Sequence, residues 1–175
     1  VVPILDNFTP DSINDLVHHS ESVMLFTDKD IWARLDIEKM PNVNSVVCMQ
    51  DYSMLYARDE QAKAAFEGID EAIKTKYPQG FGPADVSYPD GNDDDLAVIN
   101  YTSGTTSSPK GVMLCYKSFS AMVDFAQRVL PCGPGDNLMS MLPMAHMYGM
   151  VFDFIFPVCS GVHVRFFGKT PSPTL

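Results

Sequence analysis

The chain has 175 residues, 46% hydrophobic and 19% charged, a balance that excludes a disordered chain and allows one α/β domain with a sizeable core. Its 22 acidic residues against 12 basic ones give a net charge of −10, which excludes nucleic acid as the partner because a phosphate backbone needs a basic stripe. The charge is uneven: residues 1–100 carry 19 acids and 7 bases, residues 101–175 only 3 and 5, so an anionic ligand is better tolerated in the second half.

The chain opens without Met on VVPIL, Val1 to Leu5, which reads as a buried strand already under way. It stops at PSPTL, just past another strand-like run, so both ends are expected to be cuts in a longer protein. Thr9, Pro10 and Asp11 supply a cap, a first helical position and a first-turn acid, and Ile13, Leu16 and Val17 give that helix its apolar stripe. SVMLFT from Ser22 reads as a strand, a short helix surrounds Trp32, and SVVCMQ from Ser45 is a third strand. From Asp59 to Tyr77 the apolar positions Ala62, Ala65, Phe66, Ile69, Ala72 and Ile73 recur at helical spacing, with Asp70 and Lys74 as an i,i+4 pair. This predicts one surface helix with a solvated face.

Residues 80–95 form an acidic loop rich in Pro and Gly between two halves of the chain. Its run Asp90, Asp93, Asp94 and Asp95 lacks the alternating ligands and closing Glu of a calcium loop and predicts a solvated turn. Beyond it, LAVINYTS from Leu96 and GVMLCY from Gly111 read as strands, and 118–130 as a helix with Phe119, Met122, Ala126 and Val129 on one face. NLMSML from Asn137 is a strand, 147–159 is mostly helical, and VHVRFF from Val162 is the last strand. The apolar stretch 139–167 is broken by Pro143, His146, Asp153 and Pro157, so it predicts a buried helix and strands rather than a membrane span. Cys48, Cys115, Cys132 and Cys159 stand far apart with no CxxC pair, which predicts neither a disulfide framework nor a zinc site and points to a reducing, cytoplasmic setting. Strands alternating with helices predict a layered α/β fold, a largely parallel sheet flanked by helices, with 1–175 as a single partial domain.

The segment YTSGTTSSPKG, Tyr101 to Gly111, stands out between two strands. Gly104 and Gly111 allow backbone N–H groups to converge on an anion. Thr102, Ser103, Thr105, Thr106, Ser107 and Ser108 add hydroxyl donors, and Lys110 adds one mobile positive charge. It is not a Walker loop, because the Lys precedes the second Gly and a strand follows. Composition alone suits a phosphate cradle and a Ser/Thr-rich surface linker about equally.

The order of residues resembles one family. YTSGTTSSPKGV matches the phosphate-binding signature Y/F-T-S-G-S/T-T-G-x-P-K-G-V of the adenylate-forming superfamily at all positions but one. That superfamily contains acyl-CoA synthetases, adenylation domains of peptide synthetases and luciferases. LPMAHMYGM, Leu142 to Met150, resembles the L-P-x-x-H-x-x-G segment lining the family's acyl pocket, and DDDLAVIN and the opening twenty residues resemble its run-up. The resemblance covers essentially the whole chain. It implies part of the large N-terminal domain of a long-chain fatty-acid–CoA ligase.

By position, the resemblance implies that Thr102, Ser103, Gly104, Thr105, Thr106, Ser107, Lys110 and Gly111 cradle the β- and γ-phosphates of ATP. His146, the candidate catalytic residue, would position or gate the acid at the carboxylate end of the acyl pocket; without the motif, a lone His among apolar residues reads as a core residue. Met139, Met141, Met144, Met147 and Met150 suit a pocket for a flexible chain and equally an ordinary core. Partners implied are ATP, a fatty acid and coenzyme A, with Mg²⁺ held by a Glu outside this chain and peripheral membrane contact by the parent.

Ser107 stands where the family has Gly, and its Cβ restricts the closest approach to phosphate while its hydroxyl offers another contact. LCYKS after the loop also departs from the family pattern. Nothing in the chain matches the family's Y-G-x-T-E block or T-G-D block, or its C-terminal domain with a catalytic lysine, so the chain alone is expected not to turn over. The alternatives are an amino-acid or aryl-acid adenylating enzyme, a non-catalytic nucleotide- or phosphate-binding module, and a structural α/β piece whose loop binds nothing.

Overall fold

A computed structural model describes residues 1–88, 90–102 and 109–167. The chain forms two compact units, one of residues 8–90 and one of residues 1–7 with 91–175. Strands and helices alternate as the α/β reading expects, with strand pairings of both senses: two parallel and two antiparallel among the described residues.

In the unit of residues 8–90, helix α1 (Pro10–His19) begins where Thr9 Oγ1 accepts the Ser12 N–H, and it buries Ile13, Leu16 and Val17. Strands β1 (Met24–Thr27) and β2 (Ser45–Cys48) pair in parallel, and β2 pairs antiparallel with β3 (Met54–Ala57). The central β2 is buried at all four positions, as expected of a strand covered on both faces. Helix α2 (Lys29–Trp32) carries Trp32, whose ring meets Tyr56 with centroids 5.8 Å apart. Arg58 finishes the sheet by donating to the carbonyls of Val43 at 2.7 Å and Met40 at 3.0 Å. Strand β3 was not legible in the sequence. It follows a tight turn in which Ser53 donates its N–H and hydroxyl to Asp51 Oδ1 and Tyr52 takes φ 55°.

Two expectations in this unit need correction. The single helix over 59–77 is two, α3 (Glu60–Glu67) and α4 (Ile69–Lys76), divided at Gly68, the residue of lowest propensity but for proline. Lys74 pairs with Glu71 at 2.7 Å, one residue closer along the helix than the expected Asp70. The apolar stripe of these helices, including Ala62, Phe66 and Ile69, lines an open groove of about 490 Å³ with Met24 and Met54.

In the other unit, β4 (Leu96–Thr102) and β5 (Lys110–Cys115) form an antiparallel hairpin. Helix α5 (Tyr116–Val129) follows, and β6 (Asn137–Ser140) pairs in parallel with β7 (His163–Phe166). Between those strands a π-helix (Gly149–Ile155) runs on into α6 (Phe156–Cys159). The core is built from Val98, Phe119 and Val151, with Met122, Met147 and Met150 packed against it. On α5, Phe119 and Ala126 are buried as expected, whereas Val129 is exposed.

The opening VVPIL is not the buried strand expected. Val1 lies along the free edge of β4, donating to the Ala97 carbonyl and accepting the Ile99 N–H, both at 2.9 Å. Pro3 has no N–H to extend such a ladder, and Val1 is 87% exposed. The acidic turn serves the start of α5: the Asp93 and Asp95 carbonyls accept the N–H groups of Lys117 and Tyr116. Acids there also suit the positive end of the helix. All four cysteines are free thiols. Among the described residues no helix is long and apolar enough to cross a membrane.

Candidate functional site

The candidate loop is rooted on the β4–β5 hairpin. Thr102 ends β4 and Lys110 begins β5, and the two are cross-strand partners. Both are exposed. Among the described residues Lys110 has no carboxylate partner, so its charge is not spent on an internal ion pair. Ser103, Gly104, Thr105, Thr106 and Ser107 lie outside the described residues.

Gly111 pairs with Tyr101. Its φ is not in the left-handed region, so the reason for glycine is space rather than conformational freedom. A Cβ there would stand 2.9 Å from Ile99 Cγ2 and 3.3 Å from the Tyr101 ring. Tyr101 therefore lies over the bare glycine backbone and is itself buried, which pushes its phenol pKa up.

The His146 segment is built by five contacts. The Asn100 Nδ2 on β4 donates to the Ala145 carbonyl at 3.1 Å. Asp153, on the π-helix, accepts the N–H groups of Met141 and Leu142 at 3.0 and 3.1 Å on one carboxylate oxygen. The His146 N–H donates to the Pro143 carbonyl at 2.9 Å. Gly149 passes so close to Pro143 that a Cβ would lie 2.5 Å from the Pro143 carbonyl oxygen.

The His146 ring is exposed, so it is not the core residue that its apolar neighbours suggest. Its Nδ1 accepts the Tyr148 N–H at 3.3 Å at the start of the helical segment. A neutral ring with Nδ1 accepting carries its proton on Nε2, which makes that nitrogen a donor suited to a carboxylate oxygen. Of the five methionines, Met147 and Met150 pack on the core, whereas Met139, Met141 and Met144 are 51%, 48% and 43% exposed.

Sequence reasoning singled out neither Asn100 nor Asp153. The available signal was a polar residue at an inward position of a strand and a lone acid inside GMVFDFIF. Among the described residues no three His, Cys, Asp or Glu side chains gather as a metal ion requires.

The model of the family described as AMP-binding enzyme matches residues 1–175. Long-chain-fatty-acid–CoA ligase 1 of Cavia porcellus is 34% identical over 177 residues, 95% of this chain and 24% of that protein. The Homo sapiens protein of the same name is 32% identical over 95% of this chain and 24% of its own length. This chain thus spans about a quarter of the length of the curated relatives it matches. Among solved structures, the anthranilate CoA ligase AuaEII in complex with anthranoyl-AMP superposes with a TM-score of 0.74 at 17% identity, over 96% of this chain and 30% of that one.

Proposed function

Because the chain belongs to the AMP-binding enzyme family, we propose that it forms the pyrophosphate grip and part of the acyl pocket of an ATP-dependent acyl-CoA synthetase acting on medium- or long-chain fatty acids. Both compact units are then parts of one large nucleotide-binding domain, in a cytoplasmic enzyme with peripheral membrane contact.

A carboxylate is a poor electrophile. In this reading its oxygen attacks the α-phosphorus of ATP, the bond to the bridging oxygen breaks, and pyrophosphate leaves with that electron pair. The thiol sulfur of coenzyme A then attacks the acyl carbon and expels AMP. Catalysis of the first step is mainly positioning and charge stabilisation. Lys110, with the N–H groups and hydroxyls from Thr102 through Gly111, would stabilise charge on the departing pyrophosphate. His146 would donate from Nε2 to one oxygen of the acid and hold the other toward phosphorus. The Glu that holds Mg²⁺ is assigned to a part of the parent outside this chain.

One observation carries the reading: the residues of the signature flank a hairpin mouth, where Thr102 and Lys110 stand opposite each other. The 34% identity to a fatty-acid–CoA ligase supports the choice of acid. The test is acid-dependent ATP–pyrophosphate exchange by the full-length protein over a panel of fatty, aryl and amino acids, with the 175-residue chain as an inactive control. Exchange driven by fatty acids is expected. Exchange driven only by aryl or amino acids would replace the substrate class, and nucleotide binding without acid dependence would favour a non-catalytic module. Robust ligation by the 175-residue chain alone would overturn its assignment as an incomplete site.

A further inference from the structure

Asn100 is the one polar residue among the buried positions of β4, whose other buried members are Val98 and Tyr101. Alternate residues of a strand share a face, so Asn100 lies on the side of Val98, which packs against Phe119 and Val151. An amide donor left unpaired in such a layer loses its hydration with nothing in return. It is not left unpaired: Nδ2 donates to the Ala145 carbonyl at 3.1 Å, across 45 positions of sequence. A backbone carbonyl only accepts, so the amide orientation is fixed by its partner.

The two ends of this bond matter because of what stands beside them. Two residues after Asn100 is Thr102, at the root of the candidate phosphate loop and opposite Lys110. One residue after Ala145 is His146, whose ring is held by the Tyr148 N–H. A single side chain therefore ties the strand that carries the loop to the turn that carries the histidine.

We infer that Asn100 is a positioning residue that couples the acyl side of the site to the phosphate side through its hydrogen bond to Ala145. The inference rests on the acyl-CoA synthetase reading and touches no substrate atom itself. An in-line attack needs the acid and the phosphate chain set relative to each other, and a misplacement of about 1 Å can cost on the order of 10²-fold. With the bond in place, the His146 turn moves with β4. Without it, the turn keeps its contacts to Asp153 and Pro143 but loses its register on the strand.

Hydrogen exchange of the full-length protein, with inorganic pyrophosphate as the probe, tests this. In the wild type, pyrophosphate is expected to slow exchange in peptides covering Thr102 and Lys110 and also in 142–150. In Asn100→Leu the first response persists and the second is lost. Asn100→Thr, smaller and too short to reach Ala145, gives the same loss with less strain on folding. Pyrophosphate and fatty acid should also strengthen each other's binding about fivefold or more in the wild type and not in either variant. If both variants keep the 142–150 response, or if the wild type responds at Thr102 and Lys110 but not in 142–150, the coupling is overturned alone. If pyrophosphate alters neither segment in the wild type, the phosphate reading falls, and the coupling with it.

Discussion

Thr102 and Lys110 face each other as the last register pair of the β4–β5 hairpin. Directly opposed residues of an antiparallel pair project to the same face, with Cβ atoms about 5 Å apart. A hydroxyl and an ammonium group thus stand side by side at the root of the loop. In the full-length protein, Lys110→Ala should lower ATP–pyrophosphate exchange by about 10²-fold, the loss typical of one preorganised donor to developing negative charge. Melting temperature should not change, because the lysine is exposed. Lys110→Arg keeps the charge on a wider, planar head and should retain part of the rate. Exchange within threefold of wild type in Lys110→Ala would show that the pyrophosphate is held elsewhere.

Gly111 lies under the Tyr101 ring, and Gly111→Ala should destabilise by about 1–3 kcal/mol, the range for a methyl forced into packed space. The nearest obstruction is Ile99 Cγ2, at 2.9 Å from the added carbon. Ile99→Leu removes that branch from Cβ, so adding it to Gly111→Ala should recover part of the loss in a urea melt. Equal stability of Gly111→Ala and wild type would mean that the hairpin opens at no cost.

The sequence made α1, β1, β2, β4, β5 and α5 legible because each has a cap, a period or an apolar run of its own. Where it misled, long-range geometry decided. Val1 to Leu5 has strand composition, but Pro3 cannot extend a ladder past the bonds that Val1 makes to β4. The short β3 becomes a strand by pairing with β2 after the Asp51–Ser53 turn. At the candidate site, the phosphate signature picks out the loop, and the L-P-x-x-H-x-x-G segment picks out His146. Asn100 and Asp153 act through backbone groups at Ala145, Met141 and Leu142, partners that no residue pattern announces.

Asp153 holds two consecutive N–H groups with one oxygen, and charge-assisted hydrogen bonds of this kind are worth about 1.5–3 kcal/mol each when well shielded. Asp153 is half-buried, so Asp153→Ala should cost nearer the low end in a denaturant melt. Asp153→Asn keeps one neutral acceptor and should cost less. Gly149→Ala should cost more than either, since its Cβ would meet the fixed Pro143 carbonyl oxygen at 2.5 Å rather than a movable side chain. The reverse order, with Gly149→Ala the mildest, would show that the 142–150 segment is free to shift.

Lys29 and Asp51 form an exposed ion pair at 2.7 Å, and it sets a pH dependence of known sign. The Lys29 hydrogen bond, followed by those from Ser53, holds the Asp51 carboxyl well below the usual carboxylate range. The same bond raises Lys29 above the usual lysine range. A lowered carboxyl contributes stability that is complete above its unfolded value of about 3.9 and is lost as pH falls through the folded value. A raised lysine contributes stability that is complete below about 10.4 and is lost as pH rises through its folded value. The pair therefore acts in full between those limits. Its side chains are 57% and 48% exposed, so solvent and salt screen it and the effect is small. Asp51→Asn keeps the acceptor for the Ser53 turn and removes only the charge. Its melting temperature should sit slightly below wild type by a constant margin from pH 5 to 9, and the margin should close in strong acid as Asp51 itself protonates. Added salt should narrow it as well. A margin that survives strong acid would mean that the Ser53 turn, and not the ion pair, is what the substitution disturbed.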